Sequence, residues 1–219
     1  MKRSVKETLA RLIILLAGLT IAHFGVTFFL LANLGADPFN VLVQGLFRTL
    51  SQITHWSFLT HGRVHISICF LIIIVLLIVD RSYVKIGTLL CMICGGPIID
   101  IFTALLRGLH FENYALPGKI IVLALGCAIL AYGMTIVIQS GAGTGPNDLV
   151  AVVLSDKLQK KFSIVRICTD FSFVLIGFLL GGSFGIGTII CAFVVGPVAG
   201  IFLPVNKKLI DGILHTRLQ

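Results

Sequence analysis

Long apolar runs separated by short polar clusters make up most of the chain, and their spacing predicts helices. Stretches free of charge, or nearly so, cover residues 12–36, 64–79, 120–147 and 171–206. A bilayer core needs roughly 20 apolar helical residues, so these runs are expected to cross a membrane. Polar breaks divide them further, into predicted helices over 12–34, 39–50, 64–79 and 86–106, then 120–139, 147–159, 164–180 and 186–203. The first two helices of each set are joined by a Gly/Pro turn, Gly35-Ala36-Asp37-Pro38 or Gly141-Ala142-Gly143-Thr144-Gly145-Pro146. Proline at the first helical position gives up only an N–H that had no partner, so Asp37 and Gly145 mark helix starts.

The two sets look like copies. Sliding the chain by about 108 positions places Gly18 on Gly126, Gly25 on Gly133, Thr27 on Thr135, Gly35 on Gly143 and Pro38 on Pro146. Further on the shift is about 100, matching Gly87-Thr88 with Gly187-Thr188, Cys91 with Cys191 and Gly96-Pro97 with Gly196-Pro197. The change of shift puts a longer loop in the first copy, within 51–63. The expected architecture is all-α and polytopic, one membrane domain over 1–219, with repeat one at 11–106 and repeat two at 119–205. Each repeat has three crossing helices plus a short amphipathic or re-entrant helix. The second short helix has about ten mostly apolar residues, roughly 15 Å, too short to cross. Six spans follow, and an odd number per copy inverts the second repeat relative to the first. If both short helices crossed instead, there would be eight spans and parallel repeats.

Composition excludes a soluble domain. Hydrophobic residues are 57% and charged residues 12% of the 219, where a soluble domain has about a quarter charged. The net charge of +8 does not point to nucleic acid, because the basic residues lie between the apolar runs. With the N-terminus inside, one side holds Lys2, Arg3, Lys6, Arg11, Arg81, Lys85, Lys157, Lys160, Lys161, Lys207, Lys208 and Arg217. The other holds Arg48, Arg63, Arg107 and Lys119, as the positive-inside rule requires. The first apolar run is too long for a signal peptide and is expected to stay as the first helix. Cys69, Cys91, Cys94, Cys127, Cys168 and Cys191 all sit in apolar segments and read as small buried hydrophobes. The repeated Gly18, Gly25, Gly126 and Gly133 read as close-packing positions.

Polar groups inside apolar spans are expensive and tend to be functional or paired. The first group is the two turns with their following residues, Gly35, Asp37, Pro38, Asn40 and Gln44, and Gly143, Gly145, Pro146, Asn147 and Asp148. Broken helices at matched positions of two repeats point to a substrate site, where backbone N–H groups can hold an anion and an Asp can hold a cation or proton. Arg166 and Asp170, one helical turn apart, are expected to pair, as a structural lock or as a gate, with Asp170 a candidate coupling acid. Asp100, where the other copy has Gly200, is a candidate coupling acid, and Arg63 a candidate gating partner. His23, matched by Ala131, reads as a satisfied buried histidine. Neither a nucleophile elbow, nor a Walker loop, nor a metal-binding His spacing is present. No catalytic residue, metal or cofactor is therefore expected.

The ordered segments Leu34-Gly35-Ala36-Asp37-Pro38-Phe39-Asn40, Gly62-Arg63-Val64, Ile86-Gly87-Thr88 and Gly96-Pro97-Ile98-Ile99-Asp100 resemble the YczE branch of the bacterial YczE/YyaS/YitT family of integral membrane proteins. The resemblance covers nearly the whole chain. It departs at Phe39-Asn40, where the family has an aromatic residue followed by Asp. The resemblance implies a bacterial cytoplasmic-membrane protein, and a link to small-molecule export or production. It supplies no substrate. The expected function is a non-enzymatic secondary transporter of a small molecule, with the bilayer and that substrate as partners and a homodimer admissible. The alternative is an accessory protein that binds an enzyme or lipid and transports nothing.

Overall fold

In the computed structural model, which describes residues 4–218, every regular element is helical. Lys2 and Arg3, counted above with the basic residues, lie outside that range. The order is α1 (Val5–Ala32), α2 (Pro38–Thr54), α3 (His61–Val79), α4 (Ile86–Leu106), α5 (Leu116–Ser140), α6 (Pro146–Leu158), α7 (Phe162–Leu179) and α8 (Ile186–Leu218). Two single 3-10 turns, Arg107–Leu109 and Phe111–Asn113, link α4 to α5. Six of the helices are long and apolar enough to cross a membrane; α2 and α6 are not among them. The chain is a multi-pass membrane protein.

The breaks form where the sequence predicts them. α1 ends on Asn33 and α5 on Gly141, both in the left-handed region, and α2 and α6 each open on a proline. α8 departs most from expectation. It runs through Pro204 to Leu218 because Ile210 and Leu214 are buried and buried Asn206 donates to Thr135 Oγ1 at 2.6 Å. Those contacts outweigh the hydrogen bond that proline removes from the helix.

Packing of α1 on α5 decides whether α2 crosses. A Cβ on Gly25 would stand 2.3 Å from Leu130 N, and one on Gly133 would stand 2.3 Å from Ala22 N. The two backbones are thus in direct contact, which only glycine permits. Gly18 meets Ile136 while Gly25 meets Gly126, so the helices run antiparallel. An even number of spans therefore separates them: α3 and α4 cross and α2 does not. α4 packs alongside α1, with Leu15 over Gly87, and α8 alongside α5, with Leu123 over Gly187.

Contacts sort the helices into two bodies. α1, α4, α5 and α8 form one; α2, α3, α6 and α7 form the other, with α7 also seated on α8. In the second body Gly45 of α2 meets Gly177 of α7, and Leu149 and Val153 of α6 meet Leu76 of α3. Lys6, Arg11, Arg81, Lys85, Lys157, Lys160, Lys161, Lys207 and Lys208 gather toward the end where α1 starts and α8 finishes, called here the basic face. Cys69, Cys91, Cys127 and Cys191 are buried as expected, but Cys168 is exposed, since α7 turns that side away from α2 and α8.

Candidate functional site

A cavity of about 400 Å³ lies between the two bodies. Both helix breaks reach it: Asp37, Pro38 and Asn40 from the start of α2, and Gly145, Pro146, Asn147 and Asp148 from the start of α6. A second, open space of about 710 Å³ leads away from it to the face opposite the basic one. Gly35, Gln44, His61 and Ser183 line this vestibule, and Asp37 and Asn40 border both spaces. These two residues are common to both linings.

Local helix chemistry sets each acid. Asp37 caps α2, its carboxylate accepting the Asn40 N–H at 3.2 Å and the Asn40 side-chain amide as well; such a cap satisfies a donor that would otherwise lack a partner. Gly145 caps α6 without a side chain, and there the acid stands three residues later, as Asp148. Both carboxylates occupy the positive end of a helix.

Arg166 draws the second acid into a network. Its Nη1 donates to Asp148 Oδ1 at 2.6 Å and its Nε to Asp170 Oδ2 at 3.0 Å. Asn147 also donates to Asp148 Oδ1, at 3.3 Å. The expected pairing of Arg166 with Asp170 is present; the link to Asp148, eighteen residues away, is not something local spacing announces. Asp170 is only 1% exposed and its Oδ1 has no hydrogen-bond partner among the described residues. Burial without Arg166 would leave a bare charge in an apolar interior.

The remaining candidates are elsewhere. Asp100 is exposed on the outward side of α4 and lines neither space. Its expected burial fails because α4 is packed on α1 and leaves the side toward α3 uncovered: a Cβ on Gly96 would meet nothing within 4 Å. Arg63 is exposed at the start of α3, where it donates to the Phe58 carbonyl of its own loop. Gly143 lies outside the cavity, its backbone against Gly87 and Thr88.

Two histidines complete the wall. His23 Nδ1 is 2.8 Å from Leu19 O, and its ring reaches Gly95. His65, which carries no signal beyond being polar in an apolar span, packs edge-on against Phe39 with ring centroids 5.3 Å apart. Phe29, Val26, Met92, Leu130 and Met134 supply apolar surface. Among the described residues no group of three His, Cys, Asp or Glu is placed to hold a metal ion.

Comparison with known proteins agrees with the membrane architecture. A family described as a family of unknown function, DUF6198, matches residues 9–204. The uncharacterized membrane protein YczE of Bacillus subtilis is 30% identical over 94% of this chain and 91% of its own length. An uncharacterized protein of Haemophilus influenzae is 28% identical over 90% of this chain and 84% of its own. The uncharacterized protein YyaS of Bacillus subtilis is 22% identical over 87% and 91%. These matches bear out the resemblance read from the motifs. No solved structure matches.

Proposed function

The chain belongs to the DUF6198 family of unknown function, and we propose that this multi-pass protein is a secondary transporter of a small molecule. It works by alternating access between two inverted repeats, in a bacterial cytoplasmic membrane with the N-terminus inside, and it catalyses no reaction. The observation that carries this reading is a cavity built on two helix breaks, two of whose lining residues, Asp37 and Asn40, also line the open vestibule. Each of the two bodies takes matched helices from both halves of the chain, so rocking one against the other exchanges the faces to which the cavity opens.

The two seams between the bodies supply the gate. On the closed seam, α7 against α8, a Cβ on Gly196 would stand 2.8 Å from Ser163 O, and one on Gly200 would stand 3.0 Å from Ser163 Cβ. The matched positions on the open seam, α3 against α4, are Gly96, Asp100 and Arg63. Rocking closes this seam and brings Arg63 to Asp100, opposite charges that wait exposed in the present state. Arg166, holding Asp148 and Asp170, ties α6 to α7 so that they move together.

Oxidative cross-linking of Arg63→Cys with Asp100→Cys, in a Cys168→Ser background and in native membranes, tests the reading. Disulfide is expected to accumulate in the double variant and in neither single one. A fixed accessory protein gives no cross-link.

A further inference from the structure

The charges around the cavity do not balance. Asp37, Asp148 and Asp170 are three carboxylates served by one guanidinium, and Arg166 already donates to two of them. Asp37 makes no ion pair among the described residues, although it borders both the vestibule and the cavity. Of the two carboxylates that line the cavity only Asp148 is paired among the described residues, so a positive charge entering from the vestibule meets an unpaired carboxylate at Asp37.

Three features of the wall narrow what brings that charge. Anions are disfavoured, because the helix ends that could hold them already carry Asp37 and Asp148. A bare metal ion wants several oxygen ligands, and no such cluster is present among the described residues. Beside His23, His65, Asn40 and Asn147, the wall is apolar and partly aromatic, with Phe29, Phe39, Val26, Met92 and Met134 around about 400 Å³, room for a small organic body. An aromatic face beside a carboxylate favours a weakly hydrated cation.

We infer that the cavity takes a monovalent organic cation, a compact apolar body bearing one amine or quaternary charge, whose charge rests against Asp37. This rests on reading the cavity as the substrate site and deepens it by naming the substrate class. The cation enters through the vestibule, exchanges water for the Asp37 carboxylate at the mouth, and lays its apolar part among the rings and methionines.

The test uses two ions of nearly one shape and opposite charge, tetraphenylphosphonium and tetraphenylborate, in equilibrium dialysis against the purified full-length protein in detergent. Saturable binding of the phosphonium alone is expected. Asp37→Asn keeps a capping side chain and so should keep the fold, which its melting temperature checks; it should weaken phosphonium binding at least about 10-fold, a loss of about 1.4 kcal/mol. Asp37→Glu should recover part of the affinity, and Asp156→Asn, outside the cavity, should leave it unchanged. Equal binding of both ions, no saturable binding of either, or undiminished binding to Asp37→Asn would overturn the assignment. Saturable phosphonium binding in a protein that never forms the Arg63→Cys, Asp100→Cys cross-link leaves the assignment standing and removes the transport reading. Cross-linking without charge-selective binding does the reverse.

Discussion

The break after α1 and the break after α5 use the same backbone device and end in opposite states. Gly35 and Gly143 adopt φ of 139° and 136°. Gly187 N–H donates to Leu34 O at 2.9 Å, and Gly87 N–H donates to Ala142 O at 3.0 Å. Around the first break the chain opens into 710 Å³ of vestibule; beside the second there is a pocket of about 150 Å³ between Thr8, Arg11, Lys85 and Ala142. The difference lies in the side chains. At the basic face Arg11 donates to Ser140 O at 2.8 Å and Lys85 to Gly141 O at 2.9 Å, so cations hold the carbonyl end of α5. Neither α1 nor α5 has a basic residue in its own last turn; the cations at α5 come from the start of α1 and from the residue before α4. Two alike breaks thus sit in unlike surroundings, one tied by long basic side chains and one beside an open space.

The largest break in this comparison comes from the charge network that only the second half possesses. Ile66 and Phe70 stand at the positions matched to Arg166 and Asp170. Arg166→Leu leaves Asp170, 1% exposed, without its cation and should cost about 3–5 kcal/mol; chemical denaturation in detergent measures it.

The turn glycines come next. Gly143→Ala and Gly35→Ala each place a side chain in a backbone region that L residues rarely adopt, worth about 1–3 kcal/mol. Alanine at 143 is expected to be the worse of the two, since its Cβ would stand 2.5 Å from Thr88 N, against 2.9 Å from Gly185 N at position 35. Melting temperatures of the pair give the order, and a reversed order would mean that the tighter packing lies at the open break.

A smaller effect separates the matched threonines. Thr188 Oγ1 accepts from Gly185 N–H at 3.1 Å and donates to Ala36 O at 2.5 Å, whereas buried Thr88 Oγ1 has no partner among the described residues. Thr188→Val should therefore lose about 1–2 kcal/mol and Thr88→Val close to nothing. Equal losses would mean that Thr88 is bonded in the dominant state.

The least effect is expected at the basic surface, where Lys157 Nζ donates to Asp80 Oδ2 at 2.9 Å. The Lys157 hydrogen bond, then those from Ser82, hold the Asp80 carboxyl down at about 2. A depressed carboxylate contributes above its ordinary range, near pH 4, and that contribution is lost as pH falls through about 2. Asp80→Asn should shift the melting temperature at neutral pH by no more than about 1 °C, and the shift should vanish below pH 2.

Much of this was legible in the sequence because membrane helices are announced by composition. α4 matches its expected bounds, 86–106, and the others differ at their ends. α8 overran because burial of Ile210 and Leu214 lies outside what proline spacing tells. The turns were legible as helix breaks because glycine and proline interrupt an apolar run there. Asp100, expected inside the bundle, stands exposed for a related reason. An acid within a span is expected to face inward, but which side of α4 faces inward depends on whether α3 closes over it. His65 was missed because one polar residue in a span carries no directional signal.

By itself, the sequence determined that the chain crosses a membrane, where its helices break, and that Arg166 and Asp170 share a helix face; each follows from hydropathy or from a spacing of a few residues. Tertiary structure alone decided the rest. The antiparallel contact of α1 with α5 excluded α2 from the crossings, the meeting of Arg166 with Asp148 joined α6 to α7, and the open α3–α4 seam exposed Asp100. These are contacts between segments far apart in the chain, and their geometry depends on backbone approach and on which seam is closed, quantities that a hydropathy pattern does not contain.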